Sequence, residues 1–174
     1  DFTRAAAGGV GRAKTAGNYA ASLYPAKLAQ QEGFDQLLWT DARSHKFIEE
    51  SGTMNVIFQI GDKLITPSEE ADTILRGVTK RSVVELVESW GIEVEERPVS
   101  VEEIIEAAKS GELLDAFGAG TAATIAHISH IGYRGELYAL PEVEGRTISN
   151  KVKNALNGIK SGTEPDTFGW CLKI

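Results

Sequence analysis

The side chain best placed for covalent chemistry is Lys14, in the run GGVGRAKTAGNYAAS (Gly8–Ser22) among glycines, alanines and small polar residues. A lysine in a glycine loop is ordinarily a solvated charge. Phosphate binding is one alternative, because Gly8 to Thr15 follows G-x-x-x-x-G-K-[ST] except that Ala13 replaces the glycine beside the lysine. The preceding DFTRAAA is a poor hydrophobic strand, and no apolar strand ending in aspartate stands out to hold magnesium, so nucleotide hydrolysis is disfavoured. The dinucleotide pattern G-x-G-x-x-G fails, since Gly9 and Gly11 are followed three residues on by Lys14.

A second alternative is a Schiff-base lysine, whose amine condenses with an aldehyde such as that of pyridoxal phosphate. Such a site needs a carboxylate against the pyridine nitrogen and a donor to the phenolic oxygen. It also needs backbone N–H groups, at a helix start or in a nest, for the phosphate.

The elements that would position these groups can be read from periodicity. Asn18 to Gly33 suits a helix capped by Asn18, with Leu23, Ala26 and Leu28 partly on one face and Pro25 kinking it or lying in its first turns. Strand-length runs at Phe34–Asp41, His45–Glu50 and Thr53–Ile60, with a turn at Gly61-Asp62, predict an antiparallel meander. VTKRSVVELVESWG carries a helical stripe closed by Gly91, and IEVEERPV alternates as a strand. Ser100 and Glu103 form a capping box for a helix ended by Gly111. LLDAFGAGTAATIAHISHI reads as strand interrupted by Gly118 and Gly120, and TISNKVKNALNGIKSG as a closing helix. Strands and helices do not alternate strictly, which predicts an α+β fold.

The 174 residues are 42% hydrophobic, enough for a sizeable core in one compact domain. A net charge of -7 argues against a nucleic-acid partner. One cysteine, Cys171, allows no internal disulfide and suits a reducing cytoplasm. No apolar run approaches the ~18 residues of a membrane span. The N-terminus lacks the pattern of a signal peptide and reads more like the middle of a protein. His127 and His130, three apart on one expected strand, would face opposite sides, and no third ligand is in view, so no metal site is expected.

In order and spacing, GGVGRAKTAGNYAAS, HKFIEESGTMNVIF, TILRGVTKRSV and AFGAGTAATI resemble the branched-chain amino-acid aminotransferases, pyridoxal-phosphate enzymes of fold type IV. The resemblance runs over essentially the whole chain, down to GTEPDTFGW. It implies mixed sheets or a pseudo-barrel with surrounding helices. Residues 1–174 would be the large cofactor-binding domain, the family's small N-terminal domain being absent. The implied activity is transfer of the amino group of leucine, isoleucine or valine to 2-oxoglutarate, ping-pong through pyridoxamine phosphate, in a cytoplasmic homodimer.

The same resemblance assigns roles. Lys14 would be the Schiff-base and proton-transfer residue, Tyr19 the donor to the phenolic oxygen and Glu50 the partner of the pyridinium nitrogen. Val78, Thr79 and Thr121 would bind the phosphate, Arg4 would be a further cofactor-side arginine, and Thr53 and Ala122 would hold the substrate carboxylate. On residue type alone Tyr19 reads first as a core aromatic, Glu50 as a strand-edge charge beside Glu49 and Arg4 as a surface cation. The chain departs from the family at Arg76, where proline is common, at Ala119, where threonine or serine is, and at Ala126-His127, where Ser-Pro is. Another fold type IV enzyme, such as a D-amino-acid aminotransferase or aminodeoxychorismate lyase, and a non-catalytic module of the same fold, are the competing readings.

Overall fold

The computed structural model describes residues 2–172; Asp1, Lys173 and Ile174, included in the expected domain 1–174, lie outside the described residues. β1 (Leu38–Thr40), β2 (Phe47–Ser51), β3 (Met54–Ile60) and β4 (Lys63–Thr66) form the expected antiparallel meander. β1 is shorter than expected because Phe34 N–H still closes the preceding helix, on Ala29 O at 3.0 Å. β3 is the centre of the fold: β7 (Leu113–Gly120) takes one edge, while β2 and β4 share the other. Val56, Ile57 and Phe58 are all buried, so the middle of β3 is covered on both faces, which is why these three residues are apolar without a break.

Beyond β4 the meander gives way. β5 (Val94–Glu96) lies parallel to β4, as the crossover through α2 (Val78–Ser89) permits. The single strand expected over IEVEERPV breaks at Arg97-Pro98, where proline has no N–H for a ladder, and β6 (Val99–Ser100) moves to the edge of β2. α3 (Val101–Ser110) starts as expected, with Ser100 Oγ accepting from Glu103 N–H at 3.0 Å.

Gly118 and Gly120 do not interrupt β7 but run inside it, because a Cβ at either would come within 2.8 Å of the Met54 side chain on β3. The break falls instead at Thr121–Ala123, the turn into β8 (Thr124–His127). His127 ends β8 and His130 begins β9 (His130–Tyr133), which pairs with β10 (Glu136–Ala139) in a separate two-stranded sheet, so the two histidines are not on one strand as expected. Among the described residues no group of three or more His, Cys, Asp or Glu is arranged to hold a metal ion.

Two apolar clusters cover the sheet. Ile48, Val56, Phe58 and Ala116 pack with Ile104 and Ile105 of α3 and Ile131 of β9. Ile57, Leu64 and Phe117 pack with Val83 and Leu86 of α2 and with Val152 and Leu156 of α4 (Thr147–Ser161). α1 (Ala16–Gln31) is the least amphipathic: Leu23 is 70% exposed rather than part of a buried face, and Pro25 lies in its interior. Asn18 does not cap α1, which starts earlier with Thr15 at the cap position. No helix among the described residues is long and apolar enough to cross a membrane.

Candidate cofactor site

Glu50 sits on a rung that crosses five strands: Trp39, Glu50, Asn55, Ala119 and Ile125 are partners in register through β1, β2, β3, β7 and β8. Directly paired residues in a sheet point to the same face, so these side chains share one side. The Glu50 side chain is 4% exposed. Its Oε1 accepts the N–H of Leu75 at 2.8 Å, and its Oε2 lies 3.2 Å from Arg4 Nε, close enough to pair without the alignment of a hydrogen bond. Burial pushes the carboxyl up to about 7, against the lowering effects of Arg4, the Leu75 N–H and Lys14, and with Glu49 adding to the rise. The neighbouring Glu49 is raised too, chiefly by burial, and accepts the Thr73 hydroxyl at 2.5 Å.

The segment Thr73–Gly77 is therefore bound from two sides. Arg4 donates through Nη2 to Thr73 O, and Asn55 Nδ2 donates to Leu75 O at 2.9 Å. Gly77, the cap residue of α2, lies so close to Asn55 that a Cβ there would sit 1.9 Å from Asn55 Oδ1. The segment delivers the chain to Val78 and Thr79, the first residues of α2, with no side chain among the described residues capping the helix. Free N–H groups at a helix start, with the positive end of the macrodipole, suit an anion.

Lys14 arrives from the glycine run. Gly11 packs where a Cβ would lie 2.6 Å from Thr73 Cα, so only glycine brings this loop against the Thr73 segment. Gly8 N–H donates to Asp72 Oδ2 at 2.8 Å. The Asn18 amide, expected as a cap, instead reaches back to Val10 O and Ala13 O, both at 2.9 Å, and pins the loop carrying the lysine. Lys14 is exposed, its Nζ 5.5 Å from the ring centroid of half-buried Tyr19. Thr53, Thr121 and Ala122 are exposed and placed by register: Thr53 in the β2–β3 turn, the other two in the turn beyond Ala119.

Arg4 is no surface cation, being 7% exposed and engaged with Glu50 and Thr73. Two of the departures leave the framework intact, for Arg76 is exposed and Ala119 keeps its place on the rung opposite Asn55. Sequence reasoning missed Asn55 and the segment Thr73–Leu75 as connectors. Asn55 stood inside the quoted HKFIEESGTMNVIF, but nothing in the string told that its amide would reach a loop twenty residues on.

A sequence model of the amino-transferase class IV family matches residues 3–131. The chain belongs to that family. It is 41% identical over 174 residues to branched-chain-amino-acid aminotransferase 2 of Bacillus subtilis (strain 168), covering all of this chain and 48% of that protein. It is 44% identical over the same length to a probable branched-chain-amino-acid aminotransferase of Staphylococcus aureus (strain N315), again with 48% of that protein covered. The chain thus spans about half the length of the curated relatives it matches. Among solved structures, the PLP-form of the branched-chain amino acid aminotransferase from Thermobaculum terrenum superposes with a TM-score of 0.74 at 27% identity, over 94% of this chain and 50% of that one. The class IV aminotransferase chain therefore has the expected α+β, fold type IV architecture.

Proposed function

We propose that the protein carrying this chain is a pyridoxal-phosphate-dependent aminotransferase that moves the amino group of branched-chain L-amino acids to 2-oxoglutarate. The observation that carries the reading is the buried Glu50 carboxylate, raised to about 7 and tied by Leu75 N–H to the loop that opens α2. The residues fit the cofactor: a buried carboxylate for a ring nitrogen, uncapped helix N–H groups for a phosphate, and an exposed amine on a pinned loop. When bound, pyridoxal phosphate supplies an electron sink for the carbanion formed at the substrate Cα.

Each residue then has a task. Lys14 Nζ provides the covalent anchor and moves the proton to and from the substrate Cα. Glu50, titrating near neutrality, holds or gives up a proton at its carboxyl oxygens opposite the ring nitrogen, and Arg4 biases it toward the ionised form. Tyr19 O–H donates to the phenolic oxygen, and the N–H groups of Val78 and Thr79, with Thr121, bind the phosphate. Thr53 and the backbone N–H of Ala122 orient the substrate carboxylate.

The same reading makes this chain the large domain, with the remaining half of the relatives' length supplying the small one. It makes the full-length protein a cytoplasmic homodimer, for which Leu23 and Tyr24, 70% and 63% exposed on α1, supply a physical motive.

The test is an absorbance spectrum of the full-length protein with pyridoxal phosphate, before and after borohydride, beside a Lys14→Ala variant. A visible band that borohydride fixes covalently on Lys14, absent in the variant, is the expected result; a band that survives in Lys14→Ala overturns the assignment. Amino donation from L-leucine but not D-alanine is expected, and the reverse preference would favour a D-amino-acid aminotransferase.

A further inference from the structure

Lys80 is the third residue of α2, directly after Val78 and Thr79, and its side chain is 1% exposed. Lysine is rarely buried so completely, and a cation in the first turn of a helix is opposed by the macrodipole. The arrangement persists because the ammonium is well satisfied. Nζ donates to Glu96 Oε2, at the end of β5, at 2.7 Å and to Pro67 O, just beyond β4, at 2.9 Å. A second carboxylate, Glu69, approaches to 3.8 Å with its Oε1 buried and without a hydrogen-bond partner among the described residues. One ammonium thus joins the end of β5, the start of the loop that leads to α2, and the first turn of α2 itself.

From this we infer that Lys80 is a positioning residue for the cofactor phosphate, an inference that rests on the phosphate lying at Val78 and Thr79. It acts in two ways. By tying the first turn of α2 to β5 and to Pro67, it fixes where the N–H groups of Val78 and Thr79 point. By neutralising one of the two carboxylates, Glu69 and Glu96, that crowd this turn, it limits the repulsion an arriving dianion would meet. Its nitrogen is occupied by protein acceptors, so it does not need to touch the phosphate to do either.

The measurement is the ratio of affinities for pyridoxal phosphate and pyridoxal in the full-length protein, by titration of absorbance. Pyridoxal keeps the aldehyde, the ring nitrogen and the phenolic oxygen and lacks only the phosphate. Lys80→Met keeps the apolar stem and removes the charge. It is expected to weaken pyridoxal phosphate about tenfold or more while pyridoxal changes by less than about twofold, since the carboxylates of Glu69 and Glu96 lose their counter-charge next to one ligand group only. A merely structural role would weaken both ligands alike and leave the ratio unchanged, which would overturn the inference. Should Lys80→Met fail to fold, Lys80→Arg decides: it keeps the charge but not the geometry between Pro67 O and Glu96, so a fall in the ratio supports positioning and an unchanged ratio overturns it. If the unsubstituted protein itself prefers pyridoxal phosphate no more than pyridoxal, the placing of the phosphate at Val78 and Thr79 is what fails.

Discussion

Leu75 N–H donates to Glu50 Oε1 at 2.8 Å, joining a strand carboxylate to the loop that opens α2. The two ends proposed for the cofactor, its ring nitrogen and its phosphate, are thereby held by one short path. Asn55 closes the path from the other side, bonded to Leu75 O and pressed against Gly77. A shift of the loop would move the N–H groups proposed for the phosphate and alter the environment of the Glu50 carboxyl together.

The raised carboxyl of Glu50 makes stability depend on pH in a defined direction. Its folded value, about 7, lies above the ordinary 4.5, so the folded state holds the proton more tightly than the unfolded one. Stability is fully present below about pH 4.5 and is lost as pH rises through about 7, by about 3 kcal/mol at most. Glu49, also raised, acts in the same sense. In cofactor-free protein, Glu50→Gln should flatten urea-denaturation stability across that window. An equally steep loss in the variant would mean that other groups set the pH dependence.

Gly77 and Asn55 should be coupled. Gly77→Ala forces a methyl to 1.9 Å from Asn55 Oδ1, and overpacking of this kind destabilises by about 1–3 kcal/mol. Removing the obstructing amide with Asn55→Ala should make the second substitution less damaging, so the double variant lies above the sum of the singles. Strict additivity of the denaturation free energies would show that Gly77 is required for some other reason.

Local signals in the chain were legible because short-range physics decides them. Ser100 before Glu103 marked the start of α3, and the apolar run around Val56–Phe58 marked a strand. The glycines of β7 misled, since their role is set by Met54, more than sixty residues away in sequence, and a lone string cannot reveal such contacts. The candidate site was legible as a set of residues through resemblance. What the string could not carry was the connection between them: Arg4 on Glu50, Asn55 on the Leu75 loop, and Asn18 holding the lysine loop rather than capping a helix.

Ser100 offers a check on one of the legible elements. Its Oγ satisfies the N–H of Glu103, one of the orphan donors of the first turn of α3. Ser100→Ala should lower stability by about 1 kcal/mol, and Ser100→Asp, which can cap in the same way, by much less. Equal losses in thermal denaturation would assign the effect to packing beneath β6 instead of the cap.

The buried pair of Asp115 and Arg146 is the clearest case of an interaction that no local pattern announced. Arg146 Nη1 lies 3.2 Å from Asp115 Oδ1, both side chains are at most 1% exposed, and Ser149 N–H, in the first turn of α4, donates to Asp115 Oδ2 at 3.2 Å. Arg146 also donates to Pro141 O and Ile128 O, so one guanidinium fastens α4 and the β8–β9 connection to β7. Asp115→Ala leaves that cation buried without its counter-ion and should cost about 3–5 kcal/mol. Replacing both residues together with apolar ones should cost less than the single change, because no unpaired charge remains. Denaturation midpoints of the single and double variants measure this directly, and a double variant less stable than Asp115→Ala would show that the carbonyl contacts of Arg146, more than its pairing with Asp115, hold α4 in place.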